Sequence, residues 1–321
     1  MRPAIKFQMR HMKYLLLLLL ICNQSFCQTP IEKNDSILIG GIKQYVHIKG
    51  KDISKPILLF LHGGPGGSLM GKAEKMTHKL QQHFVVVQWD QRETGETQKL
   101  NKSPEPLTPA LFYNDTHDLI DSLLKRFQRP KLYLAGYSWG TVLGFHTADR
   151  YPELLYAYIA ISPVINTWES EQIALDMLKK KMGNKARKEL SQVKIPFENA
   201  EQLYYHRKWL FKYSGQKLVS LTFRKSFVEG WANTWFKVWK EACSENLFET
   251  MPALNCPVYF FVGEKDYQTN HAITEKYYHK VLAPKKDLFL FTDAGHGLPE
   301  TDSGTFQDMI IDKILPETIN R

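Results

Sequence analysis

Residues 132–150 read LYLAGYSWGTVLGFHTADR, and this stretch decides the fold. Residues 132–135 form a short apolar run, as a buried β-strand does. Gly136-Tyr137-Ser138-Trp139-Gly140 follows at once, and residues 141–150 are predicted as a helix that ends before Tyr151-Pro152, because proline disfavours a helical residue in front of it. A strand, a tight turn and a helix around G-x-S-x-G place the serine hydroxyl at the sheet edge, beside the helix N-terminus. The same pattern also occurs in ordinary strand-to-helix turns, but this context favours Ser138 as a nucleophile.

The rest of the chain repeats this alternation of short strands and helices. The predicted strands, rich in β-branched and aromatic residues, cover 45–48, 57–61, 84–88, 157–161, 258–262 and 288–291. Strands that alternate with helices form a mostly parallel sheet flanked by helices, so the predicted class is α/β. Together with the turn at Ser138, the pattern is typical of the α/β-hydrolase fold.

The succession of strands stops after Ser162-Pro163 and resumes only at residue 258. An interval of about 90 residues is far longer than the loops of a compact domain, so it is predicted to be a folded insertion. The insertion contains Trp168, Trp209, Trp231, Trp235 and Trp239, mostly in helical context. We therefore predict a hydrolase core over residues 28–163 and 253–321, and a helical cap over residues 164–252.

A glycine-rich segment, Leu61-His62-Gly63-Gly64-Pro65-Gly66-Gly67, follows the buried strand at 57–61. In this fold such a loop supplies half of the oxyanion hole, because main-chain amides must come within about 3 Å of the developing oxyanion and side chains would obstruct them. The amides of Gly64 and Trp139 are the candidate donors. A phosphate-binding loop is the rival interpretation, but neither Gly-Lys-Ser/Thr nor G-x-G-x-x-G spacing is present.

A serine needs a base to remove its proton, and the base needs a third group to orient it. The order expected for this fold is serine, acid, histidine. His296 lies in a small loop just after the last predicted strand, and Asp266 lies just after the strand at 258–262. Glu264 and Asp293 are the alternative acids. Ser138, Asp266 and His296 are therefore the predicted catalytic residues.

Four segments together resemble the proline iminopeptidase (prolyl aminopeptidase) family of α/β-hydrolases: His62-Gly63-Gly64-Pro65-Gly66, Gln88-Trp89-Asp90-Gln91-Arg92, Gly136-Tyr137-Ser138-Trp139-Gly140 and Gly295-His296. The likeness covers residues 57–163 well and the rest by short motifs. It implies a serine hydrolase that removes N-terminal residues, often proline, from short peptides through an acyl-enzyme and without a cofactor.

The resemblance also implies that carboxylates of the cap hold the free α-amino group of the substrate, since a partly desolvated ammonium requires a charged partner. Glu229, Glu241 and Glu201 are the candidates. One departure is Glu93, which stands where the family usually has glycine after Asp-Gln-Arg, and it weakens the expectation of proline preference. We interpret Asp90 and Arg92 as a buried structural pair.

Residues 1–27 have the layout of a signal peptide, with four basic residues before an apolar run at 15–21. The run is too short for a stable membrane span, and Ser25-Phe26-Cys27 predicts cleavage there and export to the periplasm or beyond the cell. A lipoprotein modified at Cys22, an uncleaved anchor and a start at Met12 are the alternatives.

Composition excludes several other functions. Removal of residues 1–27 lowers the formal net charge from +9 to +5, and no basic block interleaved with aromatic residues indicates nucleic-acid binding. No Cys or His pair has metal-ligand spacing, so no metal site is expected. Cys243 and Cys256 remain after cleavage, and their pairing and the oligomeric state stay open.

Two further functions compete with an aminopeptidase. One is an esterase or amidase acting on a small non-peptide acyl compound. The other is a catalytically silent binding protein that keeps the fold, which the complete order of serine, acid and histidine disfavours.

Overall fold

The computed structural model describes residues 28–216 and 223–319. The predicted signal peptide lies outside them. Within the described residues, eight strands form one sheet in the order β1-β2-β4-β3-β5-β6-β7-β8. The strands are β1 Ile31–Ile39, β2 Ile42–Gly50, β3 Ile57–Leu61, β4 Val85–Trp89, β5 Leu132–Tyr137, β6 Leu155–Ile161, β7 Val258–Gly263 and β8 Lys286–Phe291. All pairs from β4 to β8 are parallel, which confirms the predicted α/β class.

Helices flank the sheet on both faces. In chain order they are α1 Ala73–Thr77, α2 Gly95–Leu100, α3 Pro109–Phe127, α4 Trp139–Arg150, α5 Thr167–Lys181, α6 Asn184–Leu190, α7 Ala200–Tyr213, α8 Lys225–Ala242, α9 Leu247–Thr250, α10 His271–Lys280, α11 Leu298–Thr301, α12 Ser303–Met309 and α13 Leu315–Thr318. A π-helical turn, Ile310–Ile314, joins the last two. Helices α5 to α9 occupy the interval in which we predicted a cap. Among the described residues, no helix combines the length and apolar character needed to cross a bilayer.

The antiparallel strand β1 was not predicted. It pairs with β2 through a tight turn at Gly40-Gly41, both of which have positive φ, as two-residue hairpin turns require. Most of β1 is exposed, because it lies at the edge of the sheet. The central strands β3 and β4 are instead buried along their whole length, as continuous apolar runs predict.

The register of the sheet brings the important loops together. Leu61 at the end of β3 pairs with Gly136 near the end of β5, so the glycine-rich loop lies beside Ser138. Gly263 at the end of β7 pairs with Phe291 at the end of β8, which places the two following loops side by side. Since these strands are parallel, all four loops leave the same edge of the sheet.

Arg92 forms a buried ion pair with Asp115 of α3, and not with Asp90 as predicted. Its Nε and Nη2 donate to the two carboxylate oxygens, each at 2.9 Å, and both side chains are almost completely inaccessible. Arg92 Nη2 also donates to the Gly40 carbonyl. Asp90 instead accepts the Glu96 amide at 2.8 Å. The two residues are buried and structural, but each stabilises a different segment.

Replacing Asp115 with asparagine is expected to lower the free energy of unfolding by about 3–5 kcal/mol, because it leaves the Arg92 charge buried without its counter-ion. Urea unfolding measures the change. Asp121→Asn on the same helix is the matched control, since Asp121 forms an exposed pair with Lys125 and is expected to cost about 0.5 kcal/mol or less. Equal effects of the two substitutions would contradict this interpretation.

Candidate active site

Ser138 lies at the bend between β5 and α4. Its backbone has φ of 52° and ψ of −118°, a conformation that non-glycine residues rarely adopt. The flanking glycines permit the bend, because a Cβ at Gly140 would collide with the Leu61 carbonyl and one at Gly136 would crowd the Gly140 carbonyl. The bend directs the Ser138 side chain into a cavity above the sheet.

His296 and Asp266 complete a chain of hydrogen bonds that begins at Ser138. His296 Nε2 lies 2.9 Å from Ser138 Oγ, and His296 Nδ1 lies 2.9 Å from Asp266 Oδ2. With Nδ1–H donating to the carboxylate, Nε2 carries the lone pair that accepts the serine proton. The fold thus brings together the three residues predicted from the sequence. His296 is 158 residues from Ser138 in the chain and 30 residues from Asp266.

The surroundings of Asp266 keep its carboxylate ionised. Its Oδ1 accepts the amides of Gln268 and Thr269, each at 2.9 Å, and its Oδ2 accepts the Thr269 hydroxyl. Burial alone would raise the pKa of Asp266, but the charge and hydrogen bond of His296 and these amides bring the pKa below its ordinary value. The alternative acids do not reach His296: Glu264 is exposed, and Asp293 is paired with Lys265 in solvent.

The loop that carries His296 is anchored through its main chain. The His296 carbonyl accepts the Tyr137 hydroxyl at 3.0 Å and the Ser162 hydroxyl at 3.1 Å. Tyr137 directly precedes Ser138, and Ser162 follows β6. The main chain of His296 is therefore bonded to the ends of β5 and β6, which limits the freedom of the imidazole to move away from Ser138.

Gly64 and Trp139, the predicted oxyanion donors, both line the cavity beside Ser138. Trp139 is the first residue of α4, where main-chain amides lack a helical acceptor. Gln91 holds the two segments together: its amide group donates to the His62 carbonyl, and its Oε1 accepts the Trp139 indole N–H at 3.0 Å. Burial lowers the pKa of His62, and its Nε2 accepts a hydrogen bond from the main-chain N–H of Gln91.

The cavity lies between the sheet edge and helices α5 to α8. Its internal volume is about 180 Å³. Aromatic side chains contribute much of its wall, namely Trp139, Phe211, Phe223, Phe227, Trp231 and Trp239. Helix α8 contacts the glycine-rich loop directly: the Trp231 indole donates to the Pro65 carbonyl at 2.9 Å, and Trp235 covers Gly66 so closely that a Cβ there would lie 2.6 Å from its Nε1.

Glu171 is the one carboxylate among the described residues that line the cavity. Its side chain is buried and receives both terminal nitrogens of Arg207, with Nη1 donating to Oε2 at 2.6 Å. His206 packs beside the pair, and burial lowers its pKa to about 4. Sequence reasoning missed Glu171 and Arg207. Residues 167, 170 and 171 share one face of α5, and the structure turns that face to the cavity.

The three carboxylates predicted to bind substrate lie elsewhere. Glu201 pairs with Lys225 at 2.7 Å, Glu229 lies 4.0 Å from the same lysine, and Glu241 is exposed. None of them lines the cavity. Their helices turn these side chains outward, because the opposite faces carry the apolar residues that pack in the core. The carboxylate that lines the described cavity is instead Glu171.

Three other residues that the sequence singled out are Glu93, Cys243 and Cys256. Glu93, the departure from the family pattern, accepts the Ser103 amide and is not among the residues that line the cavity. Cys243 lines the cavity as a free thiol, and burial raises its pKa to about 12. Cys256 is also buried and free. In the part of the chain that the structure describes, no group of three or more His, Cys, Asp or Glu is placed to hold a metal ion.

Comparisons with known proteins identify the family and the fold of the chain. The model of the serine aminopeptidase family S33 matches residues 52–302. A probable aminopeptidase, YbaC, of Bacillus subtilis is 30% identical over 294 residues, which cover 83% of this chain and 92% of that protein. A proline iminopeptidase of Lactobacillus helveticus is 29% identical over 136 residues, which cover 41% of this chain and 44% of the relative.

Among solved structures, proline iminopeptidase from Mycobacterium smegmatis aligns with a TM-score of 0.64 at 14% identity, covering 90% of this chain and 99% of the other. This likeness confirms the α/β-hydrolase fold. The match of the family model over most of the chain confirms the resemblance to aminopeptidases of this type. The protein is therefore a hydrolase that belongs to the serine aminopeptidase family S33.

Proposed function

We propose that the protein is a serine hydrolase that works through an acyl-enzyme, with Ser138 as nucleophile. The observation that carries the proposal is the continuous chain of hydrogen bonds from Ser138 through His296 to Asp266. His296 takes the Ser138 proton as Oγ attacks the scissile carbonyl, and then gives it to the leaving group. Water repeats the sequence on the acyl-enzyme, releases the acid and restores Ser138.

The amides of Gly64 and Trp139 would stabilise the negative charge that develops on the carbonyl oxygen. Fixed main-chain dipoles in a partly dry cavity stabilise such a charge more than water does, because they need no reorganisation. The position of both residues in the cavity wall beside Ser138 supports this role.

We further propose that the substrate is a short peptide, or an amino-acid amide, with a free N-terminus. The family of the chain and the name of its Bacillus subtilis relative support an aminopeptidase. The aromatic wall suits the first side chain of a peptide, and Glu171 is positioned to attract its ammonium group.

An esterase or amidase for small uncharged acyl groups is the second candidate. It is favoured by the pairing of Glu171 with Arg207, because the guanidinium offsets the charge that would attract an ammonium. A substrate with a free amino group must share Glu171 with Arg207, whereas an uncharged acyl group needs only the aromatic wall.

Two measurements test these proposals. A fluorophosphonate probe should label the wild-type protein, and absence of labelling in well-folded protein would favour a silent binding protein. A panel of amino-acid naphthylamides, including the proline and arginine compounds, is then compared with p-nitrophenyl esters of increasing length. Turnover of esters with no turnover of any naphthylamide would reject the aminopeptidase in favour of the esterase.

Glu171→Gln is expected to lower kcat/KM for naphthylamides with a free amino group by about 10- to 100-fold, because it removes the charged partner of the ammonium. Hydrolysis of p-nitrophenyl acetate by the same variant is expected to change by less than about threefold, since acetate has no amino group to lose. Glu201→Gln and Glu229→Gln are the matched controls, with unchanged kinetics. A similar loss in the controls would return the ammonium site to those residues.

We also propose that residues 1–27 direct export. The basic residues followed by a short apolar run support it. N-terminal sequencing of the protein from a bacterial host, together with its fractionation, tests the proposal, and a protein in the cytoplasm that retains residue 1 would reject it.

A further inference from the structure

Gln268 shares the hydrogen-bonding atom of His296 with Ser138. Gln268 Nε2 lies 3.0 Å from His296 Nε2, and Ser138 Oγ lies 2.9 Å from the same nitrogen. Gln268 is part of the cavity wall, in the loop that also carries Asp266. Two donors therefore face one ring nitrogen from the cavity side.

A neutral imidazole can accept only one full hydrogen bond at Nε2. Asp266 holds the ring hydrogen on Nδ1, so Nε2 carries a single lone pair. The Ser138 hydroxyl and the Gln268 amide compete for this lone pair or divide it. A bond from the Gln268 amide stabilises the neutral ring, and it opposes the cationic ring because two N–H groups then face each other.

The main chain of Gln268 is fixed by the carboxylate that orients His296. Its amide donates to Asp266 Oδ1 at 2.9 Å. Behind its side chain is a small cleft that is also lined by Phe211, Gln216 and His296. The same loop therefore places the Gln268 side chain beside His296 Nε2.

Among the described residues, the charged or titratable groups around His296 include Asp266, Tyr137, Lys265 and Tyr267. Asp266 accepts from Nδ1, and the Tyr137 ring lies 5.6 Å from the imidazole. Lys265 and Tyr267 line the small cleft, and Lys265 is paired with the exposed Asp293. A substitution at Gln268 leaves all of these groups in place.

We propose that Gln268 is a positioning residue that holds His296 Nε2 beside Ser138 by donating its side-chain amide to that nitrogen. The proposal rests on the proposed serine hydrolase function. The Gln268 side-chain amide shares the lone pair of His296 Nε2 with the Ser138 hydroxyl.

The test is the rate of inactivation by diisopropyl fluorophosphate as a function of pH. In this reaction the Ser138 Oγ–P bond forms, the P–F bond breaks, fluoride leaves and His296 takes the proton. Gln268→Met keeps the size of the side chain and removes the donor. We expect the acidic limb of the profile to move to higher pH by about 0.4 to 1 unit, because a hydrogen bond to the neutral ring is lost.

At the alkaline plateau we expect the variant to react at least as fast as the wild type, since Ser138 no longer has a competitor. Gln216→Met, in the same small cleft but not bonded to His296, is the matched control and should leave the profile unchanged. Gln268→Ala provides a second variant if the methionine packs poorly, and thermal melting verifies that each variant is folded.

The outcomes separate the two proposals. If diisopropyl fluorophosphate does not inactivate the folded wild type, the serine hydrolase proposal fails and takes this one with it. If the wild type is inactivated but the acidic limb of both Gln268 variants stays in place or moves to lower pH, only the role of Gln268 is overturned. A shift of equal size in Gln216→Met would also overturn it.

Discussion

Replacing Ser138 with alanine is expected to lower turnover by about 10⁶-fold, because the covalent route is lost and only binding and oxyanion stabilisation remain. His296→Ala should lower it to about the same level, since the two residues act as a unit. Initial rates with the best substrate of the panel measure both effects. Labelling by the fluorophosphonate probe should disappear in Ser138→Ala.

Ser162→Ala is the matched control for this result. Ser162 is a buried serine that also adopts a positive φ and also bonds to His296, but through the histidine carbonyl. Its hydroxyl faces no ring nitrogen, so turnover should stay within about tenfold of the wild type and labelling should persist. Loss of labelling in Ser162→Ala together with retention of labelling in Ser138→Ala would show that Ser162, and not Ser138, is the nucleophile.

Asp266→Asn is expected to lower turnover by about 10⁴-fold while the fold remains intact. The amides of Gln268 and Thr269 require an acceptor, so they would retain the oxygen of the new amide and turn its NH₂ group towards His296. An NH₂ group facing Nδ1 makes that nitrogen an acceptor and moves the ring hydrogen to Nε2. The ring then has no lone pair for the Ser138 proton.

Glu264→Gln and Asp293→Asn are the controls for the acid. Both carboxylates are close to the site in sequence, but Glu264 is exposed and Asp293 is 95% exposed in its pair with Lys265. Each substitution should change kcat/KM by less than about threefold. A large loss in Asp293→Asn and none in Asp266→Asn would show that a different acid orients His296.

The core of the fold could be predicted because buried parallel strands have an unmistakable composition. Strands β3 and β4 are apolar at every position but Gln88 and make their contacts on both faces. Strand β1 has no such signal: residues 32–36 are polar, and its edge position leaves most of it in solvent. Its pairing depends on the turn at Gly40-Gly41 and on β2, which lie outside its own sequence.

The geometry of the candidate site could be predicted because strand order fixes it. Parallel strands deliver their following loops to one edge, so the residue just past each strand was the one to inspect. Glu171 and Arg207 could not be found this way, since they meet across 36 residues of helical insertion whose packing has no comparable rule. The predicted pairing of Asp90 with Arg92 failed because Asp115, distant in sequence, offers two oxygens in the geometry of a guanidinium.

The contact of Trp231 and Trp235 with the glycine-rich loop joins helix α8 of the insertion to the loop beside Ser138. Helix α8 lines the cavity and also packs on the loop that contains Gly64, one of the two proposed oxyanion donors. A displacement of this helix is therefore expected to move the main chain of the glycine-rich loop as well. Exchange of helix α8 for that of a relative, in order to change specificity, is therefore expected to require exchange of residues 62–67 as well.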